Sequence, residues 1–330
     1  MSRRIIFGVT AVAAALALGA SAGGAAAKMC GVRTSAGTYK HVVVVFMENH
    51  SFTQIQTSGD TTYIHSLEAA CGLATNYHNI THPSLPNYLA AVDGGTLHAV
   101  TTPYKNDCTP SQGSMICPLS PANNIFHQLD MRSRLWKGYA EDMPSPCDNA
   151  NSGLYAARHN PAVYFSDLAD SCPTRDVALG TTSSSPLLTD FSSDATAPAY
   201  STVTPNLCND MHGPCPGGAN TTLAGDNFLK AWIPKITSTP VYKLGHTVVV
   251  VTWDEGEGGS HTTGEDCATN TSDSSCKVVT IVIAPSVRAG LRRPKLLNHY
   301  SLLRTSEELL KLPKLGQANG ANSMLIPFNL

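Results

Sequence analysis

The chain has 330 residues, 42% of them hydrophobic and 14% charged, with a formal net charge of −2. That is ample for a large buried core; it excludes a disordered polyelectrolyte and a basic surface built for nucleic acid. At the N-terminus Arg3 and Arg4 precede an apolar run over 5–18 and small residues up to Ala27. This is the pattern of a cleavable export signal over 1–27, with a loose likeness to a twin-arginine signal, and it leaves 28–330 as one secreted domain. The run is short for an anchor, so no stable membrane span is expected in the mature chain. Loss of Arg3 and Arg4 takes the formal charge from −2 to −4.

Ten cysteines in an exported chain read as a disulfide framework. Spacing favours the local pairs Cys108–Cys117, Cys208–Cys215 and Cys267–Cys276, with Cys30–Cys71 and Cys147–Cys172 using the remainder, although spacing does not determine connectivity. Taken in order, the expected elements are a strand over 40–46, a helix over 84–92, a helix over 122–135 and long surface loops over 148–204 that end in a weak strand over 199–204. A helix over 226–236, strands over 247–253 and 277–284 and a helix over 300–310 follow. The runs "KHVVVVF", "TVVVVTW" and "KVVTIVIA" are continuously apolar, as suits strands covered on both faces. Strands alternating with helices imply an α/β fold around a central, mostly parallel sheet.

Three strands run directly into polar clusters: "FMENHS" with Glu48 and Asn49, "TPNLCNDMHG" with Asn206, Asp210 and His212, and "VTWDEGEGG" with Asp254 and Glu255. Ligands of open parallel sheets bind beyond the carboxyl ends of the strands. Carboxylates gathered there repel one another unless a cation sits among them. In "HPSLPNYLAAVDGG" the prolines suit the first turn of a helix. Ser84 is then expected at the N-cap, with Asn87 one turn along; a helix start attracts phosphate, and a serine there can attack it. A lipase-type GxSxG, a phosphate-binding glycine loop and HExxH are all missing from the sequence.

The segments "VVVVFMENHSF", "HPSLPNYLAAVDGGT", "TPNLCNDMHG", "VVVTWDEGEGG", "VTIVIAPSVRAG" and "NHYSLLRTSEELL" resemble, in this order over 41–312, the bacterial phosphoesterase family of secreted acid phosphatases and phospholipases C, within the alkaline phosphatase superfamily. The resemblance implies an alkaline phosphatase-like α/β sandwich. It implies metal ligation by Glu48, Asn49, Ser84, Asp254 and Glu255, with Ser84 as nucleophile and Asn87 holding a phosphoryl oxygen. It places Asp210, His212 and His299 at a phosphate or second-metal site, and His159, within "ARHNPAVYF", at the substrate. Oxygen donors of this kind suit Ca²⁺, Mg²⁺, Mn²⁺ or Zn²⁺, and His212 or His159 is the expected proton donor to the leaving alcohol. The expected activity is hydrolysis of phosphomonoesters at acid pH, phosphoinositide head groups among them. A phospholipase C-type phosphodiesterase is the alternative, and an inactive secreted binding protein on the same scaffold is a third reading.

Overall fold

A computed structural model describes residues 1–2, 28–95, 103–270 and 272–330, so the export-signal reading lies outside the described residues. Among these, nine strands share one sheet: β1 (His41–Met47), β2 (Gly72–His78), β3 (Trp136–Ala140), β4 (Asp176–Ala178), β5 (Tyr200–Thr204), β6 (Thr247–Trp253), β7 (Lys277–Ile283), β8 (Leu291–Arg293) and β9 (Leu297–Asn298). Their order is β4-β3-β5-β1-β6-β7-β2-β8, with β9 beside β2. All pairings are parallel except those of β7, which runs antiparallel to both β6 and β2. Every residue of β1 and β6 is buried, which explains why both read as unbroken β-branched runs. They pair in register, with Met47 opposite Trp253, so Glu48 and Asp254 leave adjacent strand ends together.

Helices flank the sheet. Ser84–Asp93 packs against His299–Leu310, and Thr62–Ala70 against Thr221–Thr237. The helix expected over 122–135 is shorter, Ile125–Asp130: Asn124 caps it by accepting from the His127 amide, and the chain must reach β3 at Trp136. The segment expected as surface loops over 148–204 is instead well packed. It carries β4, the short 3₁₀ turn Ala157–His159 and the buried side chains of His159, Tyr164 and Asp176.

All ten cysteines pair, in the five combinations that spacing favoured. Cys30–Cys71 spans 41 residues, the longest separation of the five. Closing a loop of that size is worth about 4 kcal/mol through the unfolded chain. A C30A/C71A variant is therefore expected to show a clearly lower urea midpoint, the largest loss among the five paired-cysteine variants.

Asp176 is fully buried; Asn160 Nδ2 donates to its Oδ2 at 2.7 Å, and its Oδ1 has no partner. Burial pushes its carboxyl up to about 7. A carboxyl that holds its proton more tightly when folded contributes stability at low pH and loses it as pH rises from the unfolded value toward 7. Asp176→Asn is expected to raise the urea midpoint at about pH 8 and to leave it unchanged at about pH 4.

Candidate active site

The carboxyl ends of β5, β1 and β6 meet the start of the Ser84–Asp93 helix. Ser84 is its first residue, and Pro83 holds the cap position expected of Ser84. The reason is chemical: the Ser84 hydroxyl faces Glu48 Oε2 at 3.1 Å and Glu255 Oε1 at 3.2 Å, and does not bond the helix amides. The amide of Leu85, which has no partner within the helix, is met by Asp107, whose Oδ1 accepts at 2.9 Å. One hydroxyl proton therefore has two carboxylate acceptors, each from a different strand end.

Glu48, Asp210 and Asp254 are fully buried. Burial pushes all three carboxyls well above the usual range, and neighbouring acids add to it: Asp210 and Glu255 for Glu48, Glu48 and Glu255 for Asp254, and Asp254 for Asp210. Tyr88, one helical turn after Ser84, donates to Glu48 Oε1 at 2.6 Å, and burial beside Glu48 keeps its phenol protonated. Tyr88→Phe removes a bond to a charged acceptor, a loss of roughly 1.5–3 kcal/mol. It is expected to lower kcat by about tenfold or more with little change in KM, while the ring still packs on Phe46 and His159.

His159 stacks on Tyr88, with ring centroids 5.4 Å apart. Its Nδ1 lies 3.1 Å from Asp210 Oδ2 and its Nε2 lies 3.2 Å from Glu48 Oε1. Burial holds its basicity well below that of a free imidazole, and Arg158 and His212 lower it further. Asp210 Oδ1 accepts from the His212 amide at 2.7 Å. His212 receives a 3.0 Å bond from Arg158 Nη2 on Nε2, so its Nδ1 carries the proton and donates to Gly213 O at 2.9 Å. His212 is thus neutral with both nitrogens engaged, and burial and Arg158 hold its pKa down. Both expected proton donors therefore sit in surroundings that disfavour the imidazolium.

The structure draws Glu48, Asn49, Ser84, Asp254, Glu255, Asp210, His212 and His159 into this region; three other expected residues, Asn87, His299 and Asn206, do not present free groups. Asn87 Oδ1 accepts from the Ile80 and Thr81 amides, and its Nδ2 donates to the Thr81 and Pro83 carbonyls. All its bonding capacity goes to shaping the loop before Ser84, leaving none for a phosphoryl oxygen. His299 is fully buried, donates from Nε2 to the Asp254 carbonyl at 2.6 Å and meets Tyr77 Oη at 3.1 Å through Nδ1. Burial brings it down to about 4, so it acts as a neutral support beneath Asp254 and offers no nitrogen to a second metal or a phosphate. Asn206 is spent on Asp142 and the turn after β5.

The donor chemistry fits a hard divalent cation. Asn49 Oδ1 and Asp254 Oδ2 are both buried without a hydrogen-bond partner, beside the Ser84 hydroxyl and its two carboxylates. Nitrogen donors extend the set on either side. Glu48, His159 and His212 have ligand atoms within 4.8 Å of one another, as do Glu255, His82 and His261. His82, the first residue of the "HPSLPNY" segment, donates to Glu255 Oε2 at 2.5 Å and meets Ser275 Oγ at 3.2 Å. Arg158, Asp107, Tyr88 and His261 were missed. Only Tyr88 carried a signal, its one-turn spacing from Ser84. Three disulfides border the site: Cys108–Cys117 follows Asp107, Cys208–Cys215 spans Asp210 and His212, and Cys267 Sγ lies 3.5 Å from His82 Nε2.

Comparison with known proteins gives the family and the fold. A model of the Phosphoesterase family matches residues 56–313. The chain is 29% identical over 285 residues to a phosphatidylinositol-3-phosphatase of Mycobacterium tuberculosis, covering 86% of this chain and 81% of that protein. It is 27% identical over 304 residues to a probable acid phosphatase of Kluyveromyces lactis and 26% identical over 269 residues to an acid phosphatase of Aspergillus fumigatus. These alignments cover 87% and 78% of this chain but 62% and 52% of the fungal proteins. In fold it is similar to an alkaline phosphatase superfamily protein of Vibrio parahaemolyticus, with TM-score 0.56, 11% identity and coverage of 86% of this chain and 72% of that one. Murine ectonucleotide pyrophosphatase/phosphodiesterase 5 also superposes with TM-score 0.56 at 11% identity, over 88% of this chain and 99% of the other. The chain belongs to the Phosphoesterase family, has the alkaline phosphatase superfamily fold, and is a hydrolase acting on phosphoric ester bonds.

Proposed function

We propose that this chain is a secreted, metal-dependent acid phosphatase that hydrolyses phosphomonoesters, phosphoinositide head groups among them, through a phosphoserine on Ser84. Residues 1–27 act as the export signal and 28–330 as one catalytic domain, a reading that five disulfides support because they persist in oxidising compartments. The observation that carries the reading is the Ser84 hydroxyl at the start of a helix, held between Glu48 and Glu255 from neighbouring strand ends.

A serine hydroxyl is a weak nucleophile at its ordinary pKa. Here its proton passes to one of the two carboxylates it already faces, and Oγ attacks phosphorus in line with the leaving oxygen. The Oγ–P bond forms as the P–O bond to the alcohol breaks, and the alcohol takes its proton from solvent as it departs, since neither His159 nor His212 favours the imidazolium form; the carboxylate returns its proton to Oγ when water releases the phosphate. Water then attacks the phosphoserine, releasing phosphate and restoring Ser84. Glu48, Asn49, Ser84, Asp254 and Glu255 would hold the metal, which would supply Lewis-acid stabilisation of the serine oxygen and of the charge building on the phosphoryl group. Tyr88 orients Glu48 and His82 orients Glu255, so both acceptors are fixed before substrate arrives.

The direct test is turnover of a chromogenic phosphomonoester beside its matched diester, from acid to alkaline pH, with and without chelator. Chelator-sensitive monoester hydrolysis with an acid optimum is the expected result. A preference for the diester would move the chain to the phospholipase C type. No turnover of either by folded, metal-loaded protein would favour a binding protein on this scaffold.

A further inference from the structure

The site is crowded with carboxylates, yet its substrate is an anion. Asp107, Glu48, Asp210, Asp254 and Glu255 all lie near Ser84. Among them reaches the guanidinium of Arg158, a residue of the turn that also carries His159. Arg158 is the cation whose field partly offsets the burial of Glu48, Asp210 and Asp107. Its side chain is 17% exposed, so it is sheltered from screening but open to a ligand.

Its tethers define what it can do. Nε lies 3.8 Å from Asp107 Oδ2, while Asp107 Oδ1 accepts from the amide of Leu85, the residue after Ser84. The guanidinium is therefore anchored, through one carboxylate, to the helix start that carries the nucleophile. Nη2 rests on His212 Nε2 at 3.0 Å, and that nitrogen is a neutral acceptor because Nδ1 donates to Gly213 O. A bond from a guanidinium to a neutral imidazole is weaker than a paired bond to two anionic oxygens, so a phosphoryl group displaces His212 from Nη2. The planar fork matches two oxygens of one phosphate.

We propose that Arg158 is the specificity residue for the doubly charged phosphoryl group: it leaves His212, grips two non-bridging oxygens and thereby favours phosphomonoesters over diesters. A monoester offers three terminal oxygens and up to two negative charges. A diester offers two oxygens and one charge, so it gains less from a second cation beside the metal. This rests on the phosphomonoesterase reading above, and the two are separable by experiment.

The experiment compares wild type, Arg158→Gln and Arg158→Lys on a phosphomonoester and its matched diester, and measures inorganic phosphate binding by calorimetry. Arg158→Gln is expected to lose about 10²-fold in kcat/KM on the monoester and less than about threefold on the diester, with phosphate affinity weakened about tenfold or more. Arg158→Lys keeps the charge without the fork and is expected to recover part of both losses. Asp107→Asn, which retains an acceptor for the Leu85 amide, is expected to bind phosphate at least as well as wild type. Equal losses on both esters, or unchanged phosphate binding in Arg158→Gln, would overturn the proposal. If Arg158→Gln fails to fold, the same comparison with Arg158→Lys decides the matter. If wild type itself prefers the diester, the monoesterase reading fails on that result alone, while the phosphate-binding arm still decides the role of Arg158.

Discussion

Ser84→Ala is expected to lower turnover by at least about 10³-fold while leaving the urea midpoint close to that of wild type. The hydroxyl is small and nearly buried, and its bonds go to two acids crowded against each other, so alanine leaves no apolar cavity and relieves some polar strain. Acid quenching during turnover of a labelled monoester should trap phosphate on the wild-type peptide containing Ser84 and none on the variant. A variant that turns over near the wild-type rate would remove Ser84 from the mechanism. A slow variant whose wild type never traps label would point to direct attack by water.

Asp254→Asn is expected to move activity and stability in opposite directions. Asp254 is buried against Glu48 and Glu255, and Oδ2 has no hydrogen-bond partner. In metal-free protein its carboxyl is pushed well above its ordinary value by burial first and by those two neighbours next. Raised in the folded state, it contributes stability at low pH that is lost as pH rises above the unfolded value. Asparagine cannot ionise, so metal-free Asp254→Asn should be more stable than metal-free wild type near neutral pH by about 1–3 kcal/mol, and unchanged in acid. Activity should nevertheless fall by roughly 10²-fold or more, together with metal content, because a charged ligand is gone. Loss of stability together with activity would show instead that Asp254 is a structural residue of the strand end.

How much of this could be read beforehand follows the reach of each interaction. The unbroken valines of β1 and β6 announce buried parallel strands, and the acids after them announce the functional edge, because both are local statements about one segment. β3 and β2 read poorly, since Trp136–Ala140 includes Lys137 and Gly138, and Gly72–His78 mixes Asn76 and His78 into a half-polar strand. Serine before a helix was expected to cap it, and the acids from residues 36 and 171 positions away turned its hydroxyl instead. The same distance hid Asp107 and the tie between Arg158 and His212, which lie 54 positions apart. Asn87 was misplaced for the opposite reason: its partners are only four to seven residues off, and local backbone bonds consumed it. His299 reads as a candidate ligand by residue type, yet burial beneath Asp254 makes it a prop.

The placement of the disulfides bears on when the enzyme can work. Cys108–Cys117, Cys208–Cys215 and Cys267–Cys276 each close a short loop at the rim of the site, and of these cysteines only Cys108 and Cys117 also pack into the main apolar core. With thiols reduced, the loops carrying Asp107, Asp210 and His212, and the loop packed against His82, lose their ties while β1 and β6 still pair. The expected result is that the reduced chain keeps its sheet but loses activity, measured as turnover before and after reduction with the far-UV circular dichroism unchanged. On the proposed reading of an exported phosphatase, the site is completed only once the protein has crossed into an oxidising space.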